Sequence, residues 1–416
     1  MFLPKVVKVR QHFTGEKIND IDEKVRSEFS KSEINQTIKP GMSIAITAGS
    51  RGITNIARIT RAIVNEVKNL GAFPVIVPAM GSHGGATAEG QIEVLESLGI
   101  TEDYCNAPIK ATMEVENLGT TANGADIYMD KFAYETDGVI LVNRIKLHTD
   151  FSSNIESGLM KIASIGLGNH KQALKIHARG TSGLKEDMPE VARGIFSSGK
   201  VLFGVGLVEN AFEDTAIIEA IPVDNIQSRE VELLQEAKRL FPSLPIDELD
   251  TLLIDEIGKD YSGSGLDTNV IGRLLIDGEE EPEKPNYTYI IASDLSEASH
   301  GNSTGIGLAD LTTKRLYEKI DLTKMNENVL TTTFLKRANI PMVRESDKDA
   351  ILTSMKCMYH VTPENFKFMR IKNTLHIDEM YVSTALIPLI KTLENMEIIS
   401  QPKEMEFDEQ GYFKSF

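Results

Sequence analysis

One segment constrains the fold of this chain more than any other. Residues 41–81 read as strand, helix, strand. SIAITAG (43–49) is a short run of small and β-branched residues, apolar on both faces, as a buried strand is. After the loop SRGIT, NIARITRAIVNEVKNLG (55–71) repeats Ile56, Ile59, Ile63, Val67 and Leu70 at helical spacing, and Gly71 stands where a C-cap glycine belongs. FPVIVPAMG (73–81) is a second buried strand. Strands joined through a helix run parallel, and the helix covers one face of their sheet. The segment therefore predicts an α/β fold.

The same grammar continues. A helix is expected over AEGQIEVLESLG, a buried strand opens DGVILVNRIKLH (137–148), and further strands fall at 201–210 and 215–223. A helix at 228–241 ends in FPSLP, where two prolines make a stiff connector. Strands at 249–258 and 287–295 and a helix at 344–359 then start a second pattern. With 416 residues, one core is too few. The expected architecture is two α/β domains, 1–245 and 246–416, with mainly parallel sheets and an active-site cleft between them.

Composition narrows the partners. A net charge of −17 argues against nucleic acid and anionic membranes, and a small anionic substrate would need a locally basic pocket. Cys105 and Cys357 are the two cysteines, read as reduced thiols. The opening MFLPKVVKVRQHF has no uninterrupted apolar stretch, and no run reaches the ~20 residues of a membrane span. A cytoplasmic protein is expected.

Candidate chemistry collects at the strand ends of the first domain. GSHGGATAE closes a strand and opens a helix, with Ser82, His83, Gly84 and Gly85 placed to offer backbone N–H groups to an anion. A tight turn with an exposed histidine is the plainer reading of the same residues. Arg51, in the loop after the first strand, suits a carboxylate or phosphate. His148 ends a strand. Lys161 sits in GLMKIASIGLGNH, an apolar, small-residue run that ends in His170. On a helix its neighbours Ser157, Ser164, Ile165 and Gly168 would leave space beside it. Such a lysine either snorkels outward or loses its proton and becomes a nucleophile. The basic run Lys171, Lys175, His177, Arg179 reads as a solvated face rather than a phosphate site. Arg144 and Lys146 hint at extra anionic groups on a substrate. In the second domain, IGKDYSGSGLDTNVIGR carries Lys259, Asp260, Asp267, Asn269 and Arg273, and ASHGNSTGIGLAD carries His300 and Asn302. GVG at 204–206 is a weak dinucleotide signal.

Taken together, SRG with Arg51, GSH with His83, RIKLH with His148, SGLMK with Lys161 and GNH with His170 resemble the nickel-pincer lactate racemase family, in the order the family has them. Ala48 and Gly49 before the arginine, and GGAT after His83, mark a divergent subgroup. The resemblance implies a racemase or epimerase acting at C2 of a 2-hydroxy acid through reversible hydride transfer and a 2-keto acid. It implies a nickel-pincer nucleotide cofactor held by Lys161 and by the loop of Ser82, Gly84 and Gly85, with His170 as a nickel ligand. His83 and His148 would be the two bases, one for each enantiomer, and Arg51 and Lys259 would bind the substrate. Cofactor-synthesis proteins would be partners. The residues alone also fit a histidine-site metal-dependent hydrolase or lyase, or a non-catalytic protein that binds a phosphorylated metabolite.

Overall fold

The computed structural model describes residues 2–50, 52–414 and 416. The chain divides into two compact units, Thr14–Phe241 and Met1–Phe13 with Pro242–Phe416. The division falls where the helix Ile226–Leu240 stops. Phe241 is extended, as a residue before proline must be, and Pro242 follows.

In the first unit, five strands line up in the order β3 (Phe73–Pro78), β2 (Ser43–Ala48), β6 (Gly138–Arg144), β7 (Val201–Glu209) and β8 (Thr215–Pro222). The first three pairings are parallel and the β7–β8 pairing is antiparallel. Successive side chains of a strand point to opposite faces, and both faces are buried here. Ala45, Val75, Val77, Val139 and Leu141 enter one core, while Ile44, Ile46, Ile76, Ile140 and Val142 enter the other. That is why these strands read as continuous apolar runs. The helix Ile56–Asn69 packs Ile59, Ile63 and Val67 into the second core, and the segment around Lys161 packs Leu159, Met160 and Ile162 into the first. A hairpin of β4 (Val115–Thr120) and β5 (Asp126–Asp130) brackets the TANGAD turn.

The second unit carries an eight-stranded sheet in the order β12 (Met342–Arg344), β11 (Leu311–Thr313), β10 (Asn286–Leu295), β9 (Glu248–Ile257), β13 (Phe368–Ile371), β14 (Glu379–Ser383), β1 (Val6–Gln11) and β15 (Met396–Ile398). The half from β12 to β13 is parallel, and the half from β13 to β15 is antiparallel. The fold is thus α/β with mainly parallel sheets. The expectation of a 1–245 domain is corrected at both ends. The first 13 residues belong to the other unit, because β1 fills the gap between β14 and β15. Among the described residues, no helix is long and apolar enough to cross a membrane.

Candidate active site

In a parallel sheet all strands end on one edge, where ligand sites gather. The loops after β2, β3 and β6 leave that edge together. Glu209, at the end of β7, organises two of them. Its buried carboxylate pairs with Arg144 and accepts the backbone N–H of Thr54 at 2.6 Å. Arg144 is thus held at the strand end by its pair with Glu209. Arg51 lies outside the described residues.

The stretch that carries Lys161 is a helical rod with a changed pitch and a break at left-handed Asn169. Leu159–Lys161 begins it, Ile162–Gly166 is a π-turn, and Asn169–His177 continues it. The N–H of Leu167 donates to the carbonyl of Ile162, five residues back, at 2.8 Å. Turns of this kind occur often at functional sites. The rod's start is fixed from two sides. Asn143 at the end of β6 donates to the Gly158 carbonyl at 2.8 Å, and the Glu230 carboxyl accepts the Met160 N–H at 2.9 Å. Glu230 comes from the helix Ile226–Leu240 and is fully enclosed; burial pushes its pKa up to about 7 against the pull of the Met160 and Leu159 N–H groups.

The glycines of this stretch do not leave the open space expected beside Lys161. A Cβ on Gly158 would lie 2.5 Å from the Glu230 carboxyl, one on Gly166 would lie 2.7 Å from the Ala79 carbonyl, and one on Gly168 would lie 2.2 Å from Gln172 Cβ. They allow close approach. The end of β3 touches the π-turn through backbone, with the Gly81 N–H donating to the Gly166 carbonyl at 3.3 Å. Gly204 likewise gives its side-chain space to Leu159, so GVG is a packing feature inside β7 and the dinucleotide reading falls.

Lys161 meets His148 at the head of the rod, Nζ to Nε2, at 2.9 Å. The His148 ring leans on Phe151, with centroids 4.6 Å apart, and its Nδ1 accepts the backbone N–H of Asp150 at 3.1 Å. Glu156 holds the loop: its carboxylate accepts the backbone N–H of His148 at 2.7 Å and that of Ser153 at 3.2 Å. Burial raises the pKa of Glu156, opposed by those N–H groups and by Lys238. His177, one end of the rod away, keeps an edge open to solvent. The surrounding protein, then Lys161, holds its pKa below the usual imidazole value, and Asp150 opposes them.

His170 is half-buried, and its Nδ1 is buried with no hydrogen-bond partner among the described residues. Asn169 before it takes a left-handed turn (φ 52°), tied by its amide to the Thr112 carbonyl and the Asp130 carboxylate, each at 2.9 Å. Burial lifts Asp130 to about 6. His83 and Ser82 are exposed on the loop after β3. Gly84 has its α-carbon face closed, since an added Cβ would lie 2.6 Å from the Gln91 N, while Gly85 (φ 65°) meets nothing within 4 Å. Thr87 caps the helix Ala88–Ser97 that follows.

The basic run after His170 is used structurally. Lys171 lies 4.2 Å from the Tyr128 ring centroid, Lys175 pairs with Asp126 at 3.1 Å, and Arg179 pairs with Asp187. In the other unit, the Lys259 ammonium donates to the Gly263 carbonyl at 2.5 Å and to Asn328 at 2.8 Å. Arg273 binds Asp310 and the Leu308 and Tyr287 carbonyls, and Asp267 caps a short helix, so both hold loops in place. Sequence reasoning brought out Lys161 and His148 but missed Glu156, Glu230 and Asp150. Glutamates on such a chain carry no local mark of burial.

Residues 5–186 match the family model described as the lactate racemase N-terminal domain. Among solved structures, the lactate racemase apoprotein from Thermoanaerobacterium thermosaccharolyticum is similar, at 12% identity and a TM-score of 0.51, over 85% of this chain and 96% of that one. No curated protein matches the chain. Residues 5–186 thus match a lactate racemase N-terminal domain, and the chain shares the fold of that apoprotein over most of its length.

Proposed function

We propose that the chain is a racemase or epimerase that inverts C2 of a 2-hydroxy acid with a nickel-pincer nucleotide as cofactor. The observation that carries this reading is the head of one helical rod, where Lys161 Nζ lies 2.9 Å from His148 Nε2. The helix Asn169–His177 that follows carries His170, whose buried Nδ1 lacks a partner among the described residues and is chemically suited to a metal such as nickel. These residues fit the cofactor: Lys161 would hold it, His170 would ligate its nickel, and the N–H groups of Ser82, Gly84 and Gly85 would take its phosphate. Gly85, open and left-handed, suits that last task best. The chemistry such a cofactor would supply when bound is reversible hydride exchange at C2.

The chain's own residues do the rest. His148 takes the hydroxyl proton of one enantiomer and His83 that of the other, since each imidazole accepts a proton near neutral pH. Arg51 and Lys259 bind the carboxylate and polarise the C2 oxygen. For this, Lys259 exchanges its bonds to Gly263 and Asn328 for bonds to substrate. Cofactor-synthesis proteins load the enzyme, and it works in the cytoplasm. A histidine-site hydrolase is less well supported, because it needs several protein ligands on one ion. Among the described residues, no three His, Cys, Asp or Glu converge to hold one.

The test uses chain co-expressed with cofactor-synthesis proteins. About one nickel per chain is expected, and one enantiomer of a C2-deuterated 2-hydroxy acid should yield the other with the label kept. Loss of the label to solvent would reject hydride return. His170→Ala should lower nickel content, whereas His83→Ala and His148→Ala should keep nickel and lose turnover. Lactate, malate, aromatic hydroxy acids and sugar acids make up the substrate panel.

A further inference from the structure

A cavity of about 130 Å³ lies within the second unit, between its sheet and residues 403–414. Those residues double back, with the Asp408 N–H donating to the Tyr412 carbonyl at 2.8 Å. Their Met405, Phe407 and Phe413 pack on the core that holds Val6 of β1 and Phe368 of β13. The buried Val6, Phe368 and Arg370 make the floor of the cavity, and the exposed Lys403 and Lys414 stand at its rim. An apolar cavity of about 150 Å³ takes up one benzene. The space here is therefore that of a single ring.

The walls suit a flat ring. Tyr381 of β14 meets Phe416 edge to face, with centroids 5.4 Å apart, and the Phe413 centroid lies 4.0 Å from the Arg370 guanidinium carbon. A further ring adds the same edge-on or offset contacts to these faces. The polar groups suit an anion. Arg370 grips Asp255 side-on, Nε and Nη2 each donating at 2.7 Å, and Nη2 also reaches the Lys414 carbonyl at 3.3 Å. A guanidinium is planar, so this grip turns Nη1 away from Asp255. Nη1 has no acceptor among the described residues, although only 7% of the side chain is exposed.

The charges around the cavity nearly cancel, and the remainder is positive. Glu404 pairs with Lys5 at 3.6 Å, Glu406 pairs with Lys403 at 3.7 Å, and Asp255 pairs with Arg370. Lys414 has no ion-pair partner among the described residues. In a chain of net charge −17 this is a local exception. We propose that the cavity is a binding site for a single-ring aromatic carboxylate. The ring enters among Tyr381, Phe413 and Phe416, and the carboxylate accepts from Arg370 Nη1 and the Lys414 ammonium, both charge-assisted. An aliphatic carboxylate has the charge without the ring and gains little here. The site stands apart from the racemase reading, whose cofactor and substrate are assigned to other residues.

The experiment follows para-fluorobenzoate by fluorine NMR as full-length chain is added. Saturable binding with half-saturation below ~1 mM is expected for so small a ligand in a preformed site. Benzoate should displace the probe and acetate should not. Lys414→Glu replaces the rim cation by an anion and should weaken binding about 5-fold or more. Phe416→Ala removes one wall and should weaken it by about the same factor. Lys414 is exposed and Phe416 only half-buried, so both variants should fold as wild type does. Neither change touches a residue assigned to the racemase site, so a probe bound there would keep its affinity in both. Binding weaker than this limit, displacement by acetate equal to that by benzoate, or unchanged affinity in either variant overturns the proposal.

Discussion

Two buried glutamates set the site's geometry residue by residue. Glu156 pins the backbone of His148 and Glu230 pins the start of the lysine rod, so the Lys161–His148 contact is held from behind on both sides. Burial raises the Glu230 pKa from 4.5 to about 7, which means the folded state favours the protonated acid. The stability this contributes is fully present below about pH 4.5 and is lost as pH rises through about 7, a swing of about 3 kcal/mol. Glu230→Gln keeps an acceptor for the Met160 N–H and cannot ionise. Urea unfolding at pH 4.5 and 7.5 should therefore show a smaller fall in stability for this variant than for wild type; equal falls would show that Glu230 does not titrate in this window. At this scale the candidate lysine and histidines were legible from their neighbours, since a lone lysine in an apolar run needs a reason. The glutamates were not, because burial of a carboxyl is decided by what packs over it.

Close backbone contacts between elements explain the small residues of the lysine segment. Gly166 lets the π-turn meet the end of β3, and Gly85 instead faces open space. The two glycines should respond differently to alanine. Gly166→Ala places a methyl 2.7 Å from the Ala79 carbonyl and 2.8 Å from Ile162 Cγ1, an overpacking expected to cost about 2–3 kcal/mol. Gly85→Ala carries only the left-handed backbone penalty, about 1 kcal/mol. Thermal unfolding of the two variants checks the order, and a more damaging Gly85→Ala would contradict the packing described. Spacing along the sequence shows that 158–168 is small and apolar. It does not show whether small residues leave room or fill it, because that depends on a strand some eighty residues earlier in the chain.

Over the whole molecule, β1 ties the first residues to the second unit. It is the common partner of β14 and β15, and the β15 pairing runs through it. A piece comprising residues 242–416 therefore lacks an interior strand and should show no cooperative unfolding transition, and a synthetic peptide of residues 1–13 should restore one. Residues 14–241, with a doubly covered sheet of their own, should fold alone. A cooperative transition in the bare 242–416 piece would show that β1 is dispensable.

The sequence by itself determined the βαβ grammar, the boundary near the FPSLP prolines and the order of Arg51, His83, His148, Lys161 and His170, because periodicity and capping are local properties of a chain. Only the tertiary structure decided that β1 crosses into the other unit, that Arg144 pairs with Glu209, that the glycines close contacts, and that Lys161 meets His148. Each of those depends on atoms brought together by packing, and distance along the chain carries no record of it.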